Sequence, residues 1–325
     1  TTSIYTSSIG RRGFMNARKI PDIDVKWLRS YFSEIKSVFS RIDLIKILED
    51  LKEQKVLGRS FKYGRFVDLI TTDLPILETV KVDLPNDVKT ERYVLIDFTV
   101  HPFEIALSLN PGAYVSHYSA LFLHDLTHNI PKNIYINREQ TPKPRDSENK
   151  VTQQKLDYAF NRPMRQTNQI AKFSYKKKKY QVFLLNGKHT GQLGVIELKT
   201  PHTHRPVRVT NLERTLIDCV VRPKYAGGVE EILNGFERAK DDLSVNRLLG
   251  ILKKLDYVYL YEKSIYFYLS RTGYSSSQLK MVSESINKSD EASLFFYLDY
   301  QIPGKVLDEN IGIYYPKKLQ NYDLS

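Results

Sequence analysis

The sequence predicts a mixed α/β (α+β) protein in two parts. An N-terminal winged helix-turn-helix domain is expected over residues 1–97 and a larger mixed α/β domain over 98–325. Three observations carry this. Apolar residues recur at helical spacing in three successive segments between Asp22 and Thr71. Two strand-like pieces follow, Leu77–Val82 and Arg92–Phe98, around the turn signal Pro85-Asn86-Asp87. Beyond residue 98 helical and alternating segments mix, and after Val209 the pattern is mostly helical. A chain of 325 residues is long enough for two such cores.

Residues 1–20 are basic and poor in apolar side chains, which suits a flexible arm. Trp27, Leu28, Tyr31, Phe32 and Ile35 then mark the buried face of a first helix. Ser40 is a capping candidate for a second, with Leu44, Ile45, Leu48 and Leu51 inward and Gly58 at its end. A third opens near Ser60 and runs to Thr71, burying Phe61, Phe66, Leu69 and Ile70. The second part begins with helices at Pro102–Leu109 and Ser116–Leu126 and a strand at Ile134–Asn137. The polar stretch 139–150 reads as an exposed connection. Lys172 to Lys199 alternates well enough for three strands, with turns at the lysine run and at Asn186-Gly187. The tyrosine-rich block Tyr257 to Gly273 suits a packed layer.

Three helices and a hairpin, in that order, place the third helix in a DNA major groove and the hairpin on the backbone. On the third helix Ser60, Lys62, Tyr63 and Arg65 fall outside the apolar set and would face DNA. Arginine pairs with guanine edges, whereas lysine mostly positions phosphates. Lys89 and Arg92 would sit on the wing. The same helices also suit a dimerisation or docking module.

The chain carries a net charge of +12, very unevenly spread. Between residues 150 and 208 thirteen Lys and Arg face only Asp157 and Glu197. Lys172, Lys176, Lys177, Lys178, Lys179 and Lys188 form the core of this basic patch, and the four consecutive lysines crowd one hairpin turn. Like charge at that density repels itself unless an anionic partner offsets it. Nucleic acid or an acidic protein would serve; a solvated loop is the other reading.

No enzyme is expected. Walker, nucleophile-elbow and dinucleotide motifs are all missing. Glu197-Leu198-Lys199 resembles the end of a metal-dependent nuclease motif, but no Asp or Glu lies between Tyr158 and Ile196 to complete it. His117, His124 and His128 share one segment, yet Pro131 ends it early, and helix-end roles are preferred over zinc. No metal and no cofactor is implied. No apolar run is long enough to span a membrane, and the single Cys219 fits a reducing cytoplasm.

The most informative stretch is VTNLERTLIDCVVRPKYAGGVEEIL, from Val209 to Leu233. Arg214, Asp218 and Arg222 follow one another at four-residue spacing and can meet on one helical face. Pro223 and the Gly227-Gly228 pair then break the helix. Such a unit serves either as an ion-paired corner or as a partner surface. With PGAYVSHYSALFLHDLTHNIPKNIYI at Pro111 to Ile136, and Ser116 and Ser119 within it, this stretch resembles the AbiEi family of bacterial antitoxins and transcriptional regulators. The resemblance covers these two motifs well and most of the chain loosely. It implies a protein of a type IV toxin–antitoxin, phage-defence module. Such a protein counteracts a nucleotidyltransferase-like toxin and represses its own operon by binding operator DNA. An RNA- or protein-binding phage-defence factor without promoter recognition is the alternative.

Overall fold

A computed structural model describes residues 21–321 except 97, 143–149, 202 and 204. The basic arm over 1–20 and most of the polar connection lie outside the described residues. Among those described, eleven α-helices combine with a nine-stranded mixed sheet and a small three-stranded sheet.

The first helix, α1 (Val25–Ile35), starts at Asp24, whose carboxylate accepts from the Lys26 and Trp27 amides. It buries Leu28 and Phe32, while Trp27 and Ile35 stay largely exposed. After the two-residue strand β1 (Val38–Phe39), Ser40 and Asp43 form a reciprocal capping box for α2 (Arg41–Glu53). Its buried stripe is Leu44, Ile47, Leu48 and Leu51; Ile45, expected inward, is 40% exposed, and Ile47 takes its place. The helix also stops at Glu53, short of Gly58.

The third helix, α3 (Tyr63–Asp68), is shorter than expected and passes into a π-helical turn over Leu69–Asp73. Strands β2 (Leu77–Asp83) and β3 (Lys89–Leu95) then form a fully paired antiparallel hairpin. Pairing of β1 with β3 gives the local order β1-β3-β2.

That hairpin is not free-standing. Strand β2 also pairs with β6 (Ile170–Tyr175), so the sheet continues across residue 97 into the rest of the chain. Ser37 donates to Glu104 at 2.5 Å on α4 (Pro102–Ser108). The Arg205 guanidinium caps the end of α1 by donating to the carbonyls of Ser33, Glu34 and Ile35. The first hydrophobic core accordingly unites Phe32, Phe39 and Phe66 with Phe103, Val182 and Val209.

The remaining strands are β4 (Tyr114–Val115), β5 (Asn133–Glu139), β7 (Lys178–Gly187), β8 (Val195–Leu198) and β9 (Val207–Thr210). The sheet order is β1-β3-β2-β6-β7-β5-β4-β9-β8. Its centre is the parallel β5–β7 pair, matched over seven residues from Asn133↔Gln181 to Glu139↔Gly187. Asn186-Gly187 is therefore strand, not the turn expected from sequence. The Gly187 amide bonds the Asn137 side chain at 2.9 Å and keeps the chain extended. The lysine turn does form: Lys176 and Lys177 both take positive φ between β6 and β7.

A second core lies under helices α5 (His117–Leu123), α6 (Gln153–Phe160), α7 (Leu212–Val221) and α8 (Val229–Arg238). It extends through α9 (Val245–Leu255), α10 (Glu262–Arg271) and α11 (Ser276–Asn287) to the small sheet. The tyrosine-rich block becomes α10, whose Tyr268 stacks on Phe236 at 5.2 Å. No helix among the described residues is long and apolar enough to cross a membrane.

Candidate functional site

The Val209–Leu233 motif folds as a helix, a sharp corner and a second helix. Asn211 caps α7 by accepting from the Arg214 amide. One turn later Arg214 Nε donates to Asp218 Oδ1 at 2.7 Å, and the side chains are only 4% and 6% exposed. Arg214 Nη1 also donates to the Leu193 carbonyl at 2.8 Å. Burial disfavours the guanidinium charge, but the adjacent Asp218 more than compensates and drives the Arg214 pKa upward.

Arg222 does not join this pair. Its φ of −134° and ψ of 69° take it off the helix, because Pro223 disfavours helical geometry in the residue before it. A 3₁₀ turn over Pro223–Ala226 follows, and Gly227 and Gly228 adopt φ of 84° and 94° to start α8. A side chain at Gly227 would stand 3.1 Å from Tyr118 as well as being strained.

The corner forms one wall of a cleft of about 590 Å³, completed by His117 and Asn137, the end of β7, Arg165–Asn168 and Tyr257. Ser116 and Ser119 tie α5 to β5. The Ser116 amide donates to the Tyr135 carbonyl, and the Ser119 hydroxyl accepts from the Tyr135 amide. His117, at φ 52°, has its Nδ1 2.8 Å from the Ser116 hydroxyl. Burial and the neighbouring Arg222 and Arg214 charges, opposed by Asp218, lower its pKa to about 4, so the ring is neutral at pH 7.

Behind this wall Glu139 accepts from the Thr190 hydroxyl and from the amides of Thr190 and Gln192. Burial works against its charge, but these donors and nearby Arg214 prevail and hold the carboxyl below its usual range. Asn137 Nδ2 donates to the Tyr114 hydroxyl at 2.7 Å. Sequence reasoning missed Asn137, Glu139, Arg165, Thr190 and Tyr257. They come from separate segments that meet in the folded chain, where β5 pairs with β7, α9 packs on α7, and Thr167 ties the Arg165 segment to Tyr225 and Leu184.

The expected DNA-facing residues divide. Ser60 and Lys62 are exposed but precede α3, and Lys89 is exposed at the start of β3. Tyr63 opens α3 with the Arg41 guanidinium 5.3 Å from its ring centroid. Arg65 is ion-paired with Asp73, a contact that closes the π turn. Arg92 does not reach the wing surface. It is buried and donates to Ser108 Oγ at 3.0 Å, the Ser108 carbonyl, Thr90 and the Glu91 carbonyl. Arg92→Ala is therefore expected to cost about 1–3 kcal/mol of stability by leaving these acceptors unsatisfied. Chemical denaturation checks it; an unchanged midpoint would mean that the buried fork contributes nothing.

The basic patch divides too. Lys172 and Lys176–Lys179 are exposed around the β6–β7 turn. Lys188 lies past the other end of β7, on the order of 30 Å along the strand. There its ammonium donates to the Leu255 and Asp256 carbonyls and lines the cleft. The three histidines go separate ways. His124 Nε2 lies 2.7 Å from the Thr210 carbonyl oxygen, and His128 Nε2 lies 2.8 Å from Arg238.

No protein-family model and no curated protein matches the chain. Among solved structures it is similar to the crystal structure of the RV2827C protein from Mycobacterium tuberculosis. The TM-score is 0.53 and the identity 14%, over 89% of each chain. This is a likeness of fold.

Proposed function

We propose that the chain is a cytoplasmic DNA-binding antitoxin-regulator. In this reading residues 1–97 form a winged helix that recognises operator DNA. Residues 98–325 counteract a nucleotidyltransferase-like toxin, as the AbiEi resemblance implies. The observation that supports the reading best is the element order α1-β1-α2-α3-β2-β3 with its β1-β3-β2 strand order, which suits a winged helix.

The cations at hand are Arg59 and Lys62 at the entry to α3 and Lys89 on the wing, all exposed. Arg65 is ion-paired with Asp73. Strand β6 runs antiparallel to β2, with Val82 opposite Phe173, so the lysine turn lies toward the end of β2 remote from the wing turn. The two turns are separated by on the order of 25 Å, less than one helical repeat of duplex DNA, about 34 Å.

The test is a fluorescence-anisotropy titration of the full chain on the DNA upstream of its own gene at several salt concentrations. Tighter binding there than to scrambled DNA is expected. Replacing Lys176, Lys177, Lys178 and Lys179 by Ala should flatten the log–log salt slope by up to about three or four units. Sequence preference should survive, because lysines position the backbone without reading bases. Equal affinity for scrambled DNA would reject operator recognition. Tighter binding to RNA than to either duplex would favour the alternative, an RNA-binding defence factor.

A further inference from the structure

We propose that the cleft beside the Arg214–Asp218 pair binds a phosphate monoester of mononucleotide size. Its charge is the first observation. Arg165, Lys188, Arg214 and Arg222 line it, and Asp218 is the one carboxylate among the lining residues. That carboxylate is already engaged by Arg214. Glu139, behind the wall, is held by Thr190 and the Gln192 amide. The cleft therefore presents excess positive charge in a partly desolvated recess, which concentrates anions.

Arg222 is the second observation. Its guanidinium is permanently charged and carries five donors. Among the described residues it is half-buried, with no carboxylate in ion-pair range and no side-chain hydrogen bond. Its electrostatic neighbours include His117 and the hydroxyl-bearing rings of Tyr257, Tyr261 and Tyr300, none of them a carboxylate. A phosphoryl group offers such a fork two parallel acceptors.

Size and lining are the third. A volume of about 590 Å³ lies within the range of small-molecule sites, about 300–1,000 Å³. The side-chain amides of Gln140, Asn168 and Asn186 and the Tyr257 ring suit a polar, ring-bearing remainder and not an acyl chain. Neutral His117 adds a hydrogen-bonding group without adding charge. The cleft is built on β5, β7 and α7, so the inference stands apart from DNA recognition by the N-terminal helices.

The test is calorimetric titration of the full-length protein with AMP, adenosine and a 5′-phosphorylated adenylate tetranucleotide. AMP should bind saturably and more weakly as salt rises, and adenosine should bind at least about tenfold more weakly. Arg222→Gln should weaken AMP binding about tenfold or more. Arg165→Ala, at an exposed position, should weaken it severalfold without moving the unfolding midpoint. A tetranucleotide that binds tighter than AMP would identify a strand end as the source of the phosphate; the reverse order would identify a free nucleotide. The absence of saturable binding to either phosphate ester, or equal affinities for AMP and adenosine, would overturn the assignment. Undiminished AMP affinity in Arg165→Ala would overturn it too, even if Arg222→Gln fails to fold.

Discussion

Asp218→Ala is expected to lower folding stability by about 3–5 kcal/mol, the usual loss when one partner of a buried ion pair is removed. Its partner Arg214 sits in a 4%-exposed position and, among the described residues, retains only the Leu193 carbonyl and a long contact to Thr190 as acceptors. A guanidinium cannot shed its proton to escape burial, so the mutant must admit water or unfold. The double variant Arg214→Met/Asp218→Leu should recover most of the loss, since apolar side chains of similar volume tolerate such a site. Urea denaturation at constant m-value measures both. A single-variant loss below about 1 kcal/mol is what an exposed pair would give, and it would contradict the buried geometry.

Acid sensitivity centred on His117 is the other large expected effect. Its pKa of about 4 in the folded chain lies below the ordinary value of 6.5. Between these values the unfolded chain takes up a proton that the folded chain refuses, so stability falls as pH drops from about 6.5 to about 4. The shift corresponds to about 3 kcal/mol, fully present above pH 6.5 and gone below pH 4. His117→Asn removes the titrating ring while keeping a residue that tolerates the positive φ. Unfolding free energies of both proteins are compared from pH 7.5 to 4. The native protein should lose about 3 kcal/mol more than the variant over that window. Parallel pH profiles would mean that the ring titrates normally and is not buried beside Arg222.

Local signals were legible where the chemistry is local. Ser40 and the apolar spacing after it located α2, and Pro223 with Gly227-Gly228 located the corner between α7 and α8. The lysine run marked the β6–β7 turn. Three features were not legible, each for a long-range reason. Arg92 looks like a surface cation until Ser108, sixteen residues on, supplies its acceptors. Arg65 looks free until the π turn brings Asp73 to it. The motif supplies only one wall of the cleft; the opposite wall has no local signal, because β5 and β7 pair in parallel and place Asn137 beside Gly187 only in the folded sheet. Helical spacing also placed Arg222 with Arg214 and Asp218, where the proline effect removes it.

Operator recognition by the N-terminal unit is tested most directly by hydroxyl-radical footprinting of the full-length chain on the DNA upstream of its own gene. The expected result is a short protected tract spanning one major groove and the adjoining backbone. It should resist an excess of unrelated DNA, and Arg59→Ala/Lys62→Ala should weaken it. Protection that is absent at saturating protein, or identical on unrelated DNA, would contradict a sequence-reading winged helix.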